Sequence, residues 1–310
     1  MMTALRFFVY GLLLLSAVAF IVSYYLGTYV FPPQGLDAIP CINNRENINR
    51  MQQQPALQSF SFLVAGDIQA GYRMLSRKIL PAAKDNCVFV VQTGDLASHA
   101  DPGHYALILH EIKSSNLGVP LFVIPGNHDR KGNPELFEHY FKLKQFYFVW
   151  SSCLFIFFDN SLGASYERQF QLLEKTLAEN QGKARWTFIF MHRPPVDWDN
   201  GTPRPELKKH ARFFALKKRF RIDYVISGHI HDYHMAELDG TTYISNGLES
   251  DQKGRTSDEI YLTRVQVTPE KVAIEKQAIP TSLADRVYGN IIDSLVAHIY
   301  YPLLSALIRK

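Results

Sequence analysis

Cysteine is scarce in this sequence. Three cysteines stand at positions 41, 87 and 153 among 310 residues. Their number is odd and no pair has the Cys-x-x-Cys spacing, so the sequence predicts neither a disulfide framework nor a cysteine-ligated metal. Cys87 and Cys153 lie within apolar runs, which favours buried side chains that act as small hydrophobes. The cysteine content therefore indicates neither a reducing nor an oxidising compartment.

A strong excess of charge of one sign is also missing. The 33 Lys and Arg residues nearly balance the 29 Asp and Glu residues, which leaves a formal net charge of +4. Such a mild charge gives no reason to expect a nucleic-acid partner. Apolar residues make up 47% of the chain. The length and this composition suit one large domain, or a domain with an accessory segment.

Charge is entirely absent from Phe7 to Phe31. At 1.5 Å per residue a helix of this length can span a bilayer, so residues 1–31 are predicted to be a transmembrane anchor. A signal peptide cleaved near Ala17-Val18-Ala19 is the alternative, although the apolar run continues past that point. The positions of Arg6 and of Arg45 and Arg50 slightly favour a cytoplasmic N-terminus. The prediction is a single-pass membrane protein whose main domain lies on the extracytoplasmic side.

The remaining chain divides by composition. Residues 32–58 are rich in Pro, Asn and Gln and are predicted to be a linker with some local helix. Residues 59–280 are predicted to form the main domain. Residues 281–310 form a predicted apolar helix in which Asp293 and Pro302 argue against an ordinary membrane span. This helix could lie in a membrane interface, pack on the domain or form a second span.

Apolar runs alternate with helical spacing through the first part of the domain. The predicted strands are 60–66, 87–92, 121–125, 153–158, 186–191 and 223–227, and the predicted helices lie near 72–83, 104–116, 166–180 and 206–219. This alternation is typical of an α/β fold. Successive strands at 233–238, 241–245, 259–267 and 271–277 then predict a mixed sheet or a second sheet, with helices outside.

Polar residues of a particular kind follow these strands. The motifs are Gly66-Asp67-Ile68-Gln69, Gly94-Asp95, Gly126-Asn127-His128-Asp129, Met191-His192-Arg193-Pro194 and Gly228-His229-Ile230-His231. The C-terminal ends of strands in an open α/β sheet converge on one crevice. Asp, Asn and His are metal ligands by type. We expect the glycines to allow sharp turns and an extended Gly-His-Ile-His to place both imidazoles on one face.

In this order the motifs resemble those of the calcineurin-like metallophosphoesterase superfamily, over about residues 60–250. Asp159-Asn160-Ser161, a helix containing Gln171 to Glu174, and Ser245-Asn246-Gly247 agree with that resemblance. It implies a four-layer α/β fold, a two-sheet β-sandwich flanked by helices. It also implies a hydrolase that binds two divalent metal ions and cleaves phosphate monoesters or diesters.

The resemblance assigns a role to each residue. Asp95 would bridge two metals; Asp67, Gln69 and His231 would complete the first site, and Asn127, His192 and His229 the second. A hydroxide between the metals would attack phosphorus. His128 would bind the phosphoryl group or protonate the leaving oxygen, and Asp129 would orient His128.

Gln69 departs from the pattern, because many members of the family have histidine there. An amide oxygen is neutral like imidazole but is a harder and weaker ligand, which favours manganese, magnesium or iron, while zinc also fits. The alternative is a catalytically weak or inactive membrane protein that uses the same fold as a binding scaffold.

Residues 204–221 are strongly basic. The simplest interpretation is the solvated face of a helix that packs through Leu207, Ala211 and Phe214. Attraction to anionic lipid headgroups or to an anionic substrate is the other. Together with the anchor and the apolar tail, this segment favours a membrane-associated substrate such as a phospholipid or a lipid-linked phosphoester or diphosphate. Soluble phosphodiesters or phosphoproteins are the alternative substrates. Trp198, on the loop after His192, is a weaker candidate for contact with substrate. The sequence carries no signal for the oligomeric state.

Overall fold

The computed structural model describes residues 10–12, 15, 39–69, 71–84, 86–161, 167–248, 259–283, 285 and 299. The chain divides into two units, Met1–Leu36 and Asp37–Lys310, and every element described below belongs to the second. The predicted anchor and the predicted C-terminal helix lie almost entirely outside the described residues. No helix in the described part of the chain is both long enough and apolar enough to cross a membrane.

Two mixed β-sheets form the framework. The first has the order β13-β12-β1-β2-β3, with β1 parallel to β2 and antiparallel to β12. Its strands are β1 Phe60–Ala65, β2 Cys87–Gln92, β3 Leu121–Val123, β12 Glu259–Val267 and β13 Val272–Pro280. The second has the order β10-β11-β9-β6-β5-β4, with β5, β6, β9 and β11 parallel. Its strands are β4 Phe146–Trp150, β5 Cys153–Phe158, β6 Trp186–Met191, β9 Tyr224–Ser227, β10 Tyr233–Leu238 and β11 Thr241–Asn246.

A hairpin and several helices complete the fold. The hairpin consists of β7 Val196–Asp199 and β8 Thr202–Pro205. The α-helices are α1 Asn44–Gln53, α2 Tyr72–Met74, α3 Pro102–Ser115, α4 Glu135–Phe141, α5 Glu167–Asn180 and α6 Leu207–Arg219. Short helical turns of other types occupy Leu75–Ile79, Pro81–Ala83 and His128–Arg130.

Phenylalanine fills the space between the two sheets. Phe62 of the first sheet lies 5.8 Å from Phe155 and 5.5 Å from Phe188 of the second, each measured between ring centroids. These contacts are edge-to-face, an arrangement that aromatic pairs favour. A second apolar cluster joins the outer face of the second sheet to α5 and α6. The sheets are thus packed face to face with helices outside, which confirms the α/β two-sheet prediction.

Helix α1 falls within the segment predicted to be a linker and packs on the edge of the first sheet. Met51 of this helix is completely buried in the core between the sheets. The Asn44 side chain donates to the carbonyls of Val123 and Leu143 at 2.8 and 2.7 Å, and it accepts from the Val123 amide. Buried asparagines thus satisfy backbone groups at the free edge of β3. The composition did not predict this packing, because asparagine is typical of loops and its distant partners are not evident in the sequence.

Other local differences have simple causes. The helix predicted near 72–83 is broken into three short turns, with Pro81 beginning the last of them. Strand β4 was not predicted, and its aromatic run alternates between buried and exposed positions. In α6, Phe213, Phe214 and Leu216 are buried whereas Ala211 is exposed, so the predicted packing face was wrong in part.

Three basic residues of α6 form ion pairs in the structure. Arg212 pairs with Glu167 and Glu174 of α5, and Arg219 pairs with Glu174. Lys217 lies 3.9 Å from Asp239 in the β10–β11 turn. These contacts favour the interpretation of residues 204–221 as a solvated helical face, since much of its charge is already balanced.

Candidate metal centre

The five polar motifs converge where parallel strands of both sheets end. Asp67 and Asp95 follow the neighbouring strands β1 and β2, and the amides of Asp67 and Gln69 donate to the carbonyls of Gly94 and Asp95 at 3.0 Å. The motif after β6 and the motif after β9 lie side by side in the second sheet, because the Gly228 amide donates to the His192 carbonyl at 3.0 Å. The candidate site therefore spans the ends of both sheets.

Five of the seven candidate ligands have a left-handed backbone. They are Asp67, Gln69, Asp95, His229 and His231, with φ between 36° and 74°. The expectation of an extended Gly-His-Ile-His was therefore wrong. The two imidazoles reach the site because the chain curls at each histidine. Such conformations are unfavourable for most L-residues and concentrate at functional sites.

Glycines make room for the carboxylates. A Cβ at Gly126 would overlap the Asp95 carboxylate, and a Cβ at Gly228 would overlap that of Asp67. Neither glycine has a positive φ, whereas Gly94 has one of 96°. The predicted turning function therefore applies to Gly94, while Gly126 and Gly228 are needed because the carboxylates approach their backbone closely.

His192 lies at the centre of one cluster of donor atoms. Its Nε2 is 3.0 Å from Asn127 Oδ1, 3.2 Å from His229 Nδ1 and 3.4 Å from Asp95 Oδ2. Ligands bound about 2.1 Å from one ion lie about 3.0 to 3.4 Å apart in octahedral or tetrahedral geometry. The opposite ring nitrogen, Nδ1, is 3.0 Å from the Thr93 carbonyl. That contact commits the Nδ1 proton, so Nε2 is the nitrogen that can bind a metal ion when the ring is neutral.

A second cluster shares Asp95. Asp67, Asp95 and His231 each offer one ligand atom, and these atoms lie within 4.8 Å of one another. Asp67 Oδ1 is 3.4 Å from His231 Nε2, while Asp67 Oδ2 accepts from the His229 amide at 2.7 Å. Asp95 also belongs to the cluster around His192. The shared carboxylate places the two clusters next to each other.

Gln69 turns its amide nitrogen toward this second cluster. Its Nε2 donates to Asp95 Oδ2 at 2.8 Å and lies 3.2 Å from His231 Nε2. Its Oε1 is buried and has no hydrogen-bond partner. A half-turn of the amide would place this oxygen where the nitrogen now stands, facing Asp95 and His231. The buried acceptor and the oxygen and nitrogen donors of both clusters fit two divalent ions.

Burial and neighbouring charges shift the pKa values of three candidate ligands. Burial lowers the pKa of His192, but the Asp95 charge and hydrogen bond outweigh burial and raise it to about 9. Burial raises the pKa of Asp95, and His192 more than offsets this and lowers it to about 2. Burial, together with the nearby charges of His192 and Arg193, lowers the pKa of His229 to about 3. The carboxylate that the clusters share is therefore ionised at neutral pH.

The His128 ring is held by a backbone carbonyl and not by Asp129. Its Nδ1 lies 2.9 Å from the Ser98 carbonyl, and its amide donates to Asp95 Oδ1 at 2.7 Å. A carbonyl only accepts, so the proton sits on Nδ1 and Nε2 is the nitrogen that can exchange a proton. The prediction that Asp129 orients this ring was wrong.

Asp129 instead ties two loops together. Its buried carboxylate accepts from the amides of Leu96, Ala97 and Gly126 at 2.8 to 3.2 Å. Burial and the Asp95 charge raise its pKa to about 7. The geometry therefore gives Asp129 a structural position beneath the site, where it joins the loop after β2 to the loop after β3.

Two further residues contribute to the site. Asn160 Oδ1 accepts from the amides of His192 and Arg193 at 3.0 and 2.9 Å, and Asn160 Nδ2 donates to the Arg193 carbonyl at 2.7 Å. The signal for Asn160 was its place in Asp159-Asn160-Ser161 directly after a strand. Arg193 lies beside His229, and only its position after His192 could have indicated that. Trp198 stacks on His234 with ring centroids 5.1 Å apart, and its contact with substrate stays a prediction.

Solved structures with the same fold include two phosphatases and one anchor protein. A dimetal phosphatase from Danio rerio is 15% identical and superposes with a TM-score of 0.55, covering 72% of this chain and 99% of that one. Purple acid phosphatase PPD1 from yellow lupin seeds is 14% identical, with a TM-score of 0.56 and coverages of 77% and 56%. GAP50, the anchor in the inner membrane complex of Plasmodium, is 16% identical, with a TM-score of 0.55 and coverages of 78% and 95%. At these identities the likeness shows the fold alone.

The sequence itself carries the family relationship. A comparison with curated proteins found no match. Residues 60–233, more than half of the chain, match the calcineurin-like phosphoesterase family, and this range contains all five motifs of the site. The protein therefore belongs to the calcineurin-like phosphoesterase family.

Proposed function

We propose that this protein is a dinuclear metal-dependent phosphoesterase. The observation that carries the proposal is the pair of donor clusters that share Asp95, with His128 held beside them. Two ions bound there would supply a hydroxide and neutralise charge on the phosphoryl oxygens. The family match supports this class of reaction.

Each candidate ligand, and His128, has a proposed role. Asp95 would bridge both ions; Asp67, Gln69 and His231 would hold the first, and Asn127, His192 and His229 would hold the second. His128 presents Nε2 to the substrate, because its Nδ1–H is committed to the Ser98 carbonyl. With both ring nitrogens protonated, Nε2–H would donate its proton to the leaving oxygen and leave the ring neutral. The buried left-handed loops keep these side chains in place before substrate arrives.

The donor set favours hard divalent ions at the first site. Asp67 and Asp95 supply carboxylate oxygens, and Gln69 supplies an amide oxygen after a half-turn of its side chain. Manganese, magnesium and iron bind well to such oxygen ligands. Zinc has a stronger preference for imidazole, and the first site offers only one imidazole, that of His231. We therefore propose Mn²⁺ as the first ion to test.

We propose further that residues 1–31 anchor the domain in a membrane, as a single span with the catalytic domain on the extracytoplasmic side. The support is the uncharged stretch Phe7 to Phe31. Under this proposal 32–58 connects the anchor to the domain at 59–280, and the apolar segment 281–310 brings the site to a membrane-associated phosphoester. Extraction of the protein from membranes at high pH would contradict the anchor, and protease protection in sealed vesicles tests the side.

A scaffold without activity is the second candidate. It is favoured by two contacts in which the protein's own side chains meet candidate ligand atoms. Gln69 Nε2 donates to Asp95, and Arg193 Nη1 lies 2.9 Å from His229 Nε2. The fold shared with the Plasmodium anchor GAP50 is compatible with such a use.

Metal content and hydrolysis together separate the two candidates. The protein is supplied with Mn²⁺, desalted and analysed for bound metal, and then assayed with p-nitrophenyl phosphate and bis-p-nitrophenyl phosphate. We expect about two ions per chain and hydrolysis that Asp95→Asn and His128→Ala abolish. His139→Ala is the matched control, because His139 is exposed on α4.

Fewer than about one ion per chain together with no hydrolysis would establish the scaffold and reject the enzyme. Full activity of both Asp95→Asn and His128→Ala would show that the reaction occurs at another site. Melting temperatures of all variants distinguish loss of chemistry from loss of fold.

A further inference from the structure

Arg193 is held firmly by its backbone at the rim of the candidate metal centre. It follows His192 at the end of β6, and Asn160 binds both its amide and its carbonyl. Its guanidinium Nη1 reaches His229 Nε2 at 2.9 Å. The side chain is half-buried, so the charge lies at the mouth of the site.

Arg193 makes no ion pair with an acidic residue in the part of the chain that the structure describes. Among the described residues, no carboxylate lies within ion-pair distance of this guanidinium, whereas Arg204, Arg212, Arg219 and Arg221 all have one. Its Nε is buried and makes no hydrogen bond. A partly buried cation with unused donors is costly unless an anion completes it. Arginine is also suited to binding phosphoryl oxygens through its planar fork.

The contact with His229 cannot persist once the cluster around His192 holds a cation. His229 Nδ1 is the nitrogen that faces His192 Nε2, at 3.2 Å. A cation on Nδ1 leaves the proton of a neutral imidazole on Nε2. Nε2–H and the guanidinium would then be two donors facing each other 2.9 Å apart. The guanidinium must turn away, and an acceptor between the two groups would satisfy both.

We propose that Arg193 binds a terminal phosphoryl oxygen of the substrate and selects phosphomonoesters over phosphodiesters. A monoester near neutral pH carries up to two negative charges and has three terminal oxygens. Two cations bound at the centre would account for two of these oxygens, and Arg193 would take the third. A diester has only two terminal oxygens and one charge, so its third position is an ester oxygen that accepts poorly. The inference rests on the proposed function and names its substrate class.

The test compares Arg193→Gln and Arg193→Lys with Arg204→Gln. Arg204 is an exposed arginine on β8 that pairs with Asp197 and Asp199, so its variant removes the same charge away from the site. Each Mn²⁺-loaded protein is assayed with p-nitrophenyl phosphate and with bis-p-nitrophenyl phosphate. Binding of inorganic phosphate is measured separately by calorimetry, with bound metal and melting temperature recorded for each variant.

We expect Arg193→Gln to lower kcat/KM for the monoester by about 10- to 100-fold and to weaken phosphate binding by a similar factor. Diester hydrolysis should change by less than about threefold. Arg193→Lys should recover part of the loss, because it restores the charge without the fork. Arg204→Gln should behave as the unmodified protein.

Equal losses for both esters, or unchanged phosphate affinity in Arg193→Gln, would overturn the inference. So would an equal effect of Arg204→Gln, which would indicate a general charge effect. If the unmodified protein hydrolyses neither ester, the proposed function fails, and the phosphate titration still decides whether Arg193 binds a phosphoryl anion.

Discussion

The side chain of Gln69 donates a hydrogen bond of 2.8 Å to Asp95 Oδ2, the carboxylate that both donor clusters share. Where many members of the family place an imidazole, this chain therefore has a group that can bind the bridging carboxylate directly. The amide can serve as a donor in one orientation and as an oxygen ligand in the other. Under the proposed function Gln69 would be an exchangeable ligand whose chemistry influences the metal preference.

Gln69→His should shift the first site toward zinc. Imidazole is a softer ligand than an amide oxygen, and the variant loses the bond to Asp95, so Zn²⁺ affinity should rise by roughly tenfold relative to Mn²⁺. Competitive titration with both ions measures the ratio. Gln53→His, on the exposed face of α1, is the control. An unchanged ratio would show that Gln69 does not contact the ion.

Gly126→Ala should damage the site through sterics alone. The added Cβ would overlap the Asp95 carboxylate, so the loop after β3 must shift, at a cost of about 1–3 kcal/mol in the free energy of unfolding. Bound metal should fall with it. Gly118→Ala is the matched control, since no atom lies within 4 Å of its added Cβ. Urea unfolding and metal analysis check both, and normal metal content in Gly126→Ala would refute the prediction.

Metal binding should release a proton from His192. Its pKa of about 9, which the Asp95 carboxylate raises despite burial, keeps the ring charged at neutral pH. A ligand must be neutral, so affinity should rise with pH, by about tenfold per unit, until the pH reaches that pKa. Calorimetry in buffers of different ionisation enthalpy counts the protons. Binding without proton release, or affinity that falls as pH rises, would contradict this.

Asn44→Ala should loosen α1 from the first sheet. The change removes three hydrogen bonds to the backbone of Val123 and Leu143, in a fully buried position. The expected loss is about 2–3 kcal/mol in the free energy of unfolding. Asn49→Ala, exposed on the same helix, should change it by less than about 0.5 kcal/mol. Equal effects of the two variants would show that α1 is not anchored through Asn44.

Much of the two-sheet framework could be predicted from the sequence, because short apolar runs indicate buried strands. Strands β1, β2, β5 and β6 end at Ala65, Gln92, Phe158 and Met191, shortly before Asp67, Asp95, Asp159 and His192. The positions of the candidate ligands followed from those strand ends. The family relationship rested on the same motifs and was confirmed by the match over residues 60–233.

What could not be predicted depends on contacts between distant residues. Asn44 and Val123 are 79 positions apart, and nothing local marks that pair. The support of His128 by the Ser98 carbonyl was hidden because a backbone group leaves no trace in the sequence. The prediction for Asp129 failed for the same reason, since three backbone amides proved to be its partners.

The left-handed backbone at five candidate ligands also determines how this site is best dissected. Asparagine tolerates that conformation better than most residues and lacks the charge of Asp and the imidazole of His. Asparagine would remove the carboxylate charge at Asp67 or Asp95, or the imidazole at His229 or His231, and would retain the curl of the loop. Alanine at the same positions would change both together. For these loops the conservative substitution is therefore the one that preserves the dihedral angle, and size and polarity come second.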